Sequence, residues 1–279
     1  MRSSKALLPS HQSFVMLDWF TALLVGTIQG LLEWLPISSS GQTTLVMVNF
    51  LGIRPEFAIS FGLAVHIGTA MAVFARYPRP LVGMLDIRNF TPKKKFYWLT
   101  TIISLLCALP IMFLLESTFD SELWTGVTIT LLIGLGLVAT GIILGRSKKS
   151  SFRPISRGRY SDYLLVGIAQ AFAVLPGVSR SGMTMATLLG RRFREVEALT
   201  FSFLLSVPVS MASFAYIVVF GDMGEIPLFF LGIAAVSSFV FGYLSMGVLV
   251  KMASDLKFSK FCILLGGITI AFACCLLII

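Results

Sequence analysis

Residues 19–53 read WFTALLVGTIQGLLEWLPISSSGQTTLVMVNFLGI, in which an apolar run stops at Glu33 and resumes only after a proline and three serines. Residues 163–190 read YLLVGIAQAFAVLPGVSRSGMTMATLLG and break in the same way at Pro176. Each apolar piece is too short to cross a bilayer core of roughly 30 Å, because a helix rises only about 1.5 Å per residue. The two stretches are therefore predicted to form re-entrant helical hairpins, each entering and leaving the membrane on one side.

The remaining apolar sequence falls into six runs, each long enough to cross the bilayer as a helix of about 20 residues. Hydrophobic residues make up 56% of the 279 residues, charged residues make up 13%, and the mean hydropathy is +0.90. These values exclude an ordinary soluble domain. We therefore predict an all-α integral membrane protein with two re-entrant hairpins and six spanning helices, at residues 57–75, 96–115, 124–145, 198–220, 226–250 and 261–279.

The positive charge of the chain is unevenly distributed along it. Of the 22 Lys and Arg residues, eighteen lie in the connections 76–95, 146–160, 191–194 and 251–260. Short loops rich in Lys and Arg stay in the cytoplasm, so the pattern predicts a multi-pass protein of the cell membrane with both termini outside. Because these residues are not interleaved with aromatic residues that could stack on bases, the net charge of +9 does not indicate a nucleic-acid partner.

The chain also contains an internal repeat with a spacing of about 141 residues, in which SSSGQT at 38–43 matches SRSGMT at 179–184. The repeat divides a single membrane domain, residues 1–279, into a first half at 12–145 and a second half at 161–279, joined by the cytoplasmic loop 146–160. Each half holds one hairpin and three spans. An odd number of spans inserts the second half upside down, which predicts an inverted-topology repeat.

Two charged side chains, Glu33 and Arg180, lie at the predicted hairpin tips, where an unpaired charge costs several kcal/mol and so indicates a functional site. A buried structural ion pair is the plainer interpretation. Gln29 lies one helical turn before Glu33, a spacing suited to holding a cation or a nucleophilic hydroxyl. The Ser/Gly tips can present backbone N–H groups to an anion, and the Arg180 guanidinium matches phosphate oxygens. Together these groups suit a diphosphate.

A hydroxyl nucleophile needs a nearby base and an electropositive cradle. Ser39 is the predicted nucleophile, because it occupies the position in the first repeat that Arg180 occupies in the second, so that pseudo-symmetry sets the two facing each other. Ser38 and Ser40 remain alternatives. A turn-forming or helix-capping role is the plainer interpretation of any one of the three serines.

The chain contains two long motifs, one after the other: Gln29-x-x-x-Glu33 followed by LPISSSG at 35–41, and PGVSRSGMT at 176–184. They closely resemble the motifs of the undecaprenyl-diphosphatase (bacitracin-resistance) family, and the resemblance covers almost the whole chain. It implies a hydrolase acting on a phosphoric anhydride, which converts a polyprenyl diphosphate carrier to its monophosphate with the aid of Mg²⁺ or Ca²⁺. Such an enzyme recycles the lipid carrier for cell-envelope glycan synthesis and confers bacitracin resistance, and its site is expected to open outward.

The resemblance implies a role for each matching residue. Glu33 matches the essential acid, Gln29 its partner in binding the cation, and Ser39 the proposed nucleophile. Arg180 belongs to the phosphate-binding cluster of the second motif. The substrate- and phosphate-binding set is expected to comprise the other residues of the two tips, Ser38, Ser40, Gly41, Gln42, Ser179, Ser181 and Thr184.

Gln42 is a departure from the family pattern, which usually has His at this position as a general acid or base. Glutamine does not titrate, so either Glu33 acts as the base or His66, in the first spanning run, supplies the imidazole. A hydrogen-bonded packing role is the plainer interpretation of a lone membrane histidine.

The mechanistic hypothesis is that a divalent cation on Glu33 and Gln29 bridges the diphosphate while Arg180 neutralises the terminal phosphate and Ser39 attacks in line. A phosphoserine intermediate and direct attack by water both fit. The alternative function is a polyprenyl-phosphate flippase or other secondary transporter, since inverted repeats with broken helices also build transporter sites. The expected partners are the lipid substrate, the membrane and a second copy in a homodimer.

Overall fold

The computed structural model describes residues 18–86, 89–118, 124–147, 152–220, 227–252 and 258–278. Apart from one isolated bridge between Arg153 and Phe193, the regular structure of these residues is helical. The α-helices are α1 Trp19–Leu32, α2 Ser39–Asn49, α3 Pro55–Arg76, α4 Pro78–Leu85, α5 Pro92–Glu116, α6 Gly126–Gly145, α7 Tyr160–Ala171, α8 Arg180–Gly190, α9 Glu195–Phe220, α10 Leu228–Met252 and α11 Phe258–Leu276.

Six of these helices, α3, α5, α6, α9, α10 and α11, are long and apolar enough to cross a membrane. They confirm the six predicted spans. The sequence-based boundaries differ most at the connection 76–95, which contains α4 and the first turn of α5, because Pro78 and Pro92 each start a helix at a position that needs no backbone N–H donor. Residues 1–17, 87–88, 148–151 and 253–257 of the predicted outer terminus and basic connections lie outside the described residues.

The two predicted breaks occur where the sequence places them, between α1 and α2 and between α7 and α8. Both second helices begin with the same serine cap: the Ser38 hydroxyl accepts from the Gly41 amide at 3.3 Å, and the Ser179 hydroxyl accepts from the Gly182 amide at 3.2 Å. A capping serine satisfies one of the free N–H groups at a helix start. The repeated Ser-x-x-Gly spacing is thus a capping signal in both halves.

The turns that join the broken helices contact each other. Ser181 donates a hydrogen bond to the Leu35 carbonyl at 2.9 Å. Gly177 has a φ of 83°, and a Cβ atom there would collide with the backbone of Ile133 in α6. A glycine is required at this point because the left-handed backbone and the close approach both exclude a side chain.

Around the turns, the long helices pack in pairs: α1 against α10, α7 against α5, α6 against α11, and α3 against both α9 and α10. Small residues allow the closest approaches, as where Gly26 of α1 faces the backbone of Ala234 in α10. The packing places the two turns, one face of α3 and the middle of α9 around a common point, at which the site lies.

Candidate active site

Glu33 is the centre of the polar cluster between the two turns. It follows directly on α1, and only 5% of its surface is exposed. Its Oε2 accepts hydrogen bonds from Ser39 Oγ at 2.6 Å and from Gln29 Nε2 at 2.8 Å, while its Oε1 accepts from the Arg180 guanidinium. A buried carboxylate needs such partners, because an unpaired charge in an apolar surrounding is costly. The predicted acid, nucleophile and phosphate-binding arginine therefore meet in one place.

Arg180 is the first residue of α8 and is held from two sides. One guanidinium nitrogen faces Glu33, and the other donates to the Ser202 carbonyl of α9 at 3.1 Å. The Thr184 and Ser202 hydroxyls are 2.6 Å apart. Thr184 thus stabilises the segment of α9 whose Ser202 carbonyl orients Arg180, and it does so without lining the cavity.

His66 approaches the cluster from α3. Its Nε2 lies 3.3 Å from Oε2 of Glu33, and its Nδ1 lies 2.8 Å from the Gly62 carbonyl oxygen. Because a carbonyl oxygen only accepts, Nδ1 donates its proton there, and the contact with the carboxylate is attractive only when a proton lies between Nε2 and Oε2. His66 is therefore placed to hold the carboxylate that faces Ser39.

The cluster opens into a cavity of about 260 Å³. Most of the predicted site residues line it: Glu33, Ser38, Ser39, Ser40, His66, Ser179, Arg180 and Ser181. Four predicted residues do not: Gln29 and Thr184 lie behind Glu33 and Arg180, Gly41 packs against Gly177 and Ile133, and the Gln42 amide points to the Ile37 carbonyl at 3.4 Å. The position at which the family resemblance leads one to expect histidine thus does not line the cavity in this chain.

Other cavity residues were not predicted from the sequence. One of them, Gln170, lies 141 residues after Gln29 and so occupies the equivalent position in the repeat. The polar ones are Ser104 of α5, Gln170 of α7, and Ser210, Ser213 and Tyr216 of α9. Single serines within apolar helices carry no signal in one sequence, because their hydroxyls commonly bond to the backbone of the preceding turn.

The oxygen atoms at Glu33 fit the protein side of a divalent cation site. Among the described residues, no three His, Cys, Asp or Glu side chains cluster together, so the site offers a single carboxylate. Oε1 of Gln29, next to that carboxylate, is buried and has no hydrogen-bond partner among the described residues. Mg²⁺ is commonly held by one or two carboxylates together with substrate phosphates, and this donor set matches that pattern.

The arrangement has the parts required for phosphoryl transfer. A serine hydroxyl lies within hydrogen-bond reach of a carboxylate that can take its proton, and an arginine faces the same carboxylate from the opposite turn. The N-termini of α2 and α8 both lie at the cavity wall, and the backbone N–H groups at a helix start favour an anion.

Comparison with known proteins agrees with this geometry. The chain is 38% identical over 255 residues to an undecaprenyl-diphosphatase of Methanothrix thermoacetophila, covering 91% of this chain and 97% of that protein. It is 36% identical over 260 residues to one of Methanopyrus kandleri, covering 91% and 96%, and 34% identical over 270 residues to one of Methanococcoides burtonii, covering 91% and 98%. The profile of the bacitracin resistance protein BacA family matches residues 22–270, so the chain belongs to that family.

Proposed function

We propose that this protein is a membrane phosphatase that hydrolyses undecaprenyl diphosphate, or a related polyprenyl diphosphate, to the monophosphate and phosphate. The observation that carries the proposal is the contact of 2.6 Å between Ser39 Oγ and Glu33 Oε2 at a cavity that also holds Arg180. The names of the relatives and the bacitracin resistance family support it. A flippase would need an anion site, but it has no use for a hydroxyl held against a base.

Catalysis begins with an exchange of partners at Arg180. The guanidinium pairs with Glu33 in the absence of substrate, and the terminal phosphate offers it an anion of higher charge. The N–H groups at the starts of α2 and α8 bind further phosphate oxygens. As Arg180 turns to the phosphate, Oε1 of Glu33 loses its donor, and the carboxylate becomes a stronger base toward Ser39.

Ser39 then attacks the terminal phosphorus in line. The Oγ–P bond forms as the bridging P–O bond breaks, the lipid monophosphate leaves with the bonding electrons, and the Ser39 proton passes to Glu33. Water hydrolyses the phosphoserine in a second step; direct attack by a water held at Glu33 is the other route that fits. A divalent cation, bound by Glu33 and the Gln29 amide oxygen, would neutralise charge on the phosphates.

We further propose that the two broken helix pairs are re-entrant hairpins and that the halves 12–145 and 161–279 form an inverted repeat. The packing supports this, because α1 pairs with α10 as α7 pairs with α5, and α2 contacts α3 as α8 contacts α9. The helices α6 and α11, which correspond in the two halves, pack on each other, as do α3 and α9. Such pairs are expected along a pseudo-two-fold axis.

The orientation that we propose places both termini and the mouth of the site outside the cell. The described basic connections all follow α3, α6, α8 or α10 and precede the next helix, which puts them on one side. The edge-on contact between Phe113 and Phe220, near the ends of α5 and α9, supports a common opposite side for those ends.

Phosphate release by detergent-purified protein tests the function. We expect release from undecaprenyl diphosphate with Mg²⁺ or Ca²⁺, loss of release with a chelator, and a fall in kcat of about 10²-fold or more for Ser39→Ala and Glu33→Gln. For Arg180→Ala, kcat should fall by about 10³-fold. Ser206→Ala, which removes a buried hydroxyl that bonds to the Phe203 carbonyl outside the cavity, is the matched control.

The same preparation separates the remaining alternatives. Phosphate trapped on Ser39 with a slow substrate establishes the covalent route, whereas rapid turnover by Ser39→Ala rules it out. A folded protein that releases no phosphate but moves polyprenyl monophosphate across vesicles would overturn the phosphatase in favour of a transporter. Light scattering of the detergent-solubilised protein tests the expected homodimer.

A further inference from the structure

A second group of polar residues lines the cavity, and we call it the uncharged wall because, unlike the group around Glu33 and Arg180, it carries no charge. Ser104, Gln170 and Ser210 come from three different helices and are 2%, 2% and 4% exposed. None of the three carries a formal charge. Polar groups at membrane depth cost free energy unless they are hydrogen-bonded or bind a ligand, so their convergence on one cavity requires an explanation.

The hydrogen bonds of this wall are incomplete. Nε2 of Gln170 donates to Ser104 Oγ at 3.1 Å, but the amide oxygen of Gln170 is buried and receives no hydrogen bond from any described residue. The Ser104 hydroxyl, which accepts from Gln170, keeps its own proton to donate. The wall therefore offers hydroxyl donors together with one unused acceptor.

The difference in charge between the walls matches the two phosphates of a diphosphate ester. The terminal phosphate carries more negative charge than the inner one and suits the wall with Arg180, whereas neutral hydroxyl donors suit the inner phosphate. When the anhydride bond breaks, the inner phosphate becomes a monoester with a second pKa near 6, so that near neutral pH a fraction of it carries a P–O–H proton. That proton matches the unused oxygen of Gln170.

We propose that Ser104, Gln170 and Ser210 form a subsite for the phosphate that stays on the lipid. The subsite binds the inner phosphate of the substrate and then the phosphate of the monophosphate product. This inference rests on the proposed phosphatase function and extends it to the leaving group.

The apolar lining fits the same placement. Beyond Ser104, α5 presents Leu105, Ala108, Leu109 and Met112 to the cavity, in the half of the helix that runs away from its basic start. A phosphate at Ser104 would therefore have an apolar path for its prenyl chain along α5. Leu109 is 42% exposed, so this path leads to the lipid-facing surface of the helix.

Inhibition kinetics with two products test the subsite. Gln170→Leu and Ser104→Ala should each raise the Ki of polyprenyl monophosphate and the KM of the diphosphate by about fivefold, the effect of one lost hydrogen bond of ordinary strength. The Ki of inorganic phosphate, which binds at Arg180, should change less than twofold. Ser210→Ala is a second test, because its hydroxyl makes no hydrogen bond to the described residues and its loss should not impair folding.

Ser206→Ala, one turn before Ser210 on α9, is the matched control and should leave all three constants unchanged. An unchanged Ki of the monophosphate in all three wall variants would overturn the proposal, as would an equal rise in the Ki of inorganic phosphate. If the wild type releases no phosphate, the phosphatase fails first. Calorimetric titration with polyprenyl monophosphate then decides the subsite alone: it stands if the wall variants bind about fivefold more weakly than wild type, and falls if they bind equally.

Discussion

Glu33 faces about as many donor groups as one carboxylate can accept from, and these contacts stabilise its buried charge in the absence of substrate. Its two oxygens together face Ser39, Gln29, His66 and Arg180. Without Arg180 the buried carboxylate would be poorly compensated, and without Glu33 the arginine would be. A phosphate that takes over Arg180 therefore changes the basicity of Glu33 at the moment when a base is needed.

Two substitutions test whether His66 takes the place of the missing motif histidine, and we expect different results from them. His66→Phe removes the ring nitrogen 3.3 Å from Glu33 and should lower kcat by about tenfold or more, because the carboxylate loses a positioning partner. Gln42→His places a histidine where the family resemblance leads one to expect it, but at a position that does not line the cavity, so kcat should change less than about twofold. Steady-state phosphate release measures both, and a large gain from Gln42→His would contradict the geometry.

Prediction at this scale depended on whether a residue's role left a trace in the sequence. Glu33 and Arg180 were predictable, because charge is rare in apolar runs, and Ser39 followed from its alignment with Arg180. Ser38 and Ser179 prove to be helix caps as well as cavity residues, so one motif serves two purposes. The contact of Ser104 with Gln170 could not be predicted, because it joins helices 66 residues apart.

At the scale of elements, a buried carboxylate joins the start of α7 to the end of α8. Asp162, in the first turn of α7, is fully buried, accepts from Arg153 at 2.8 Å and pairs with Arg191. The ring of Phe193 lies under the Arg153 guanidinium, 4.6 Å from it. Basic residues that the charge pattern predicted only as cytoplasmic thus also join the connection 152–159 to the end of α8.

The contacts of Asp162 with Arg153 and Arg191 predict a loss of stability in acid. Burial alone would raise the pKa of Asp162, but hydrogen bonds from Arg153, the Arg159 amide and Arg191 outweigh it and lower the pKa below its ordinary value of 3.8. Asp162 therefore contributes stability above pH of about 4, and the contribution is lost as pH falls through the lowered pKa. Asp162→Asn should lower the free energy of unfolding in detergent at pH 7 by about 1–3 kcal/mol, and the thermal midpoint should fall with it.

The control for this prediction is the pH dependence itself. The difference in thermal midpoint between wild type and Asp162→Asn should shrink as pH is lowered from 7 to 3. A difference that stays constant over this range would show that the carboxylate charge contributes nothing and that only packing was changed.

For the whole molecule, residues from both halves of the proposed repeat meet at the cavity. The first half contributes Glu33, Ser39, His66 and Ser104, and the second contributes Arg180, Gln170 and Ser210. Gln29 and Gln170 occupy equivalent positions, yet only Gln29 has an acid one turn later. The spans and breaks were predictable because run length and proline determine them, whereas the uncharged wall depends on a contact between α5 and α7 that the sequence does not show.

The proposed inverted repeat also predicts which helix ends lie on the same side of the membrane. In a variant with Cys107, Cys262, Cys274 and Cys275 replaced, single cysteines can be placed at two exposed serines: Ser117, after α5, and Ser156, in the turn before α7. An impermeant maleimide on intact cells should label Ser117→Cys, and it should label Ser156→Cys only after permeabilisation, because the proposed orientation places the basic connections in the cytoplasm. The reverse pattern would place the mouth of the cavity inside the cell, and labelling of both in intact cells would contradict a spanning α5 or α6.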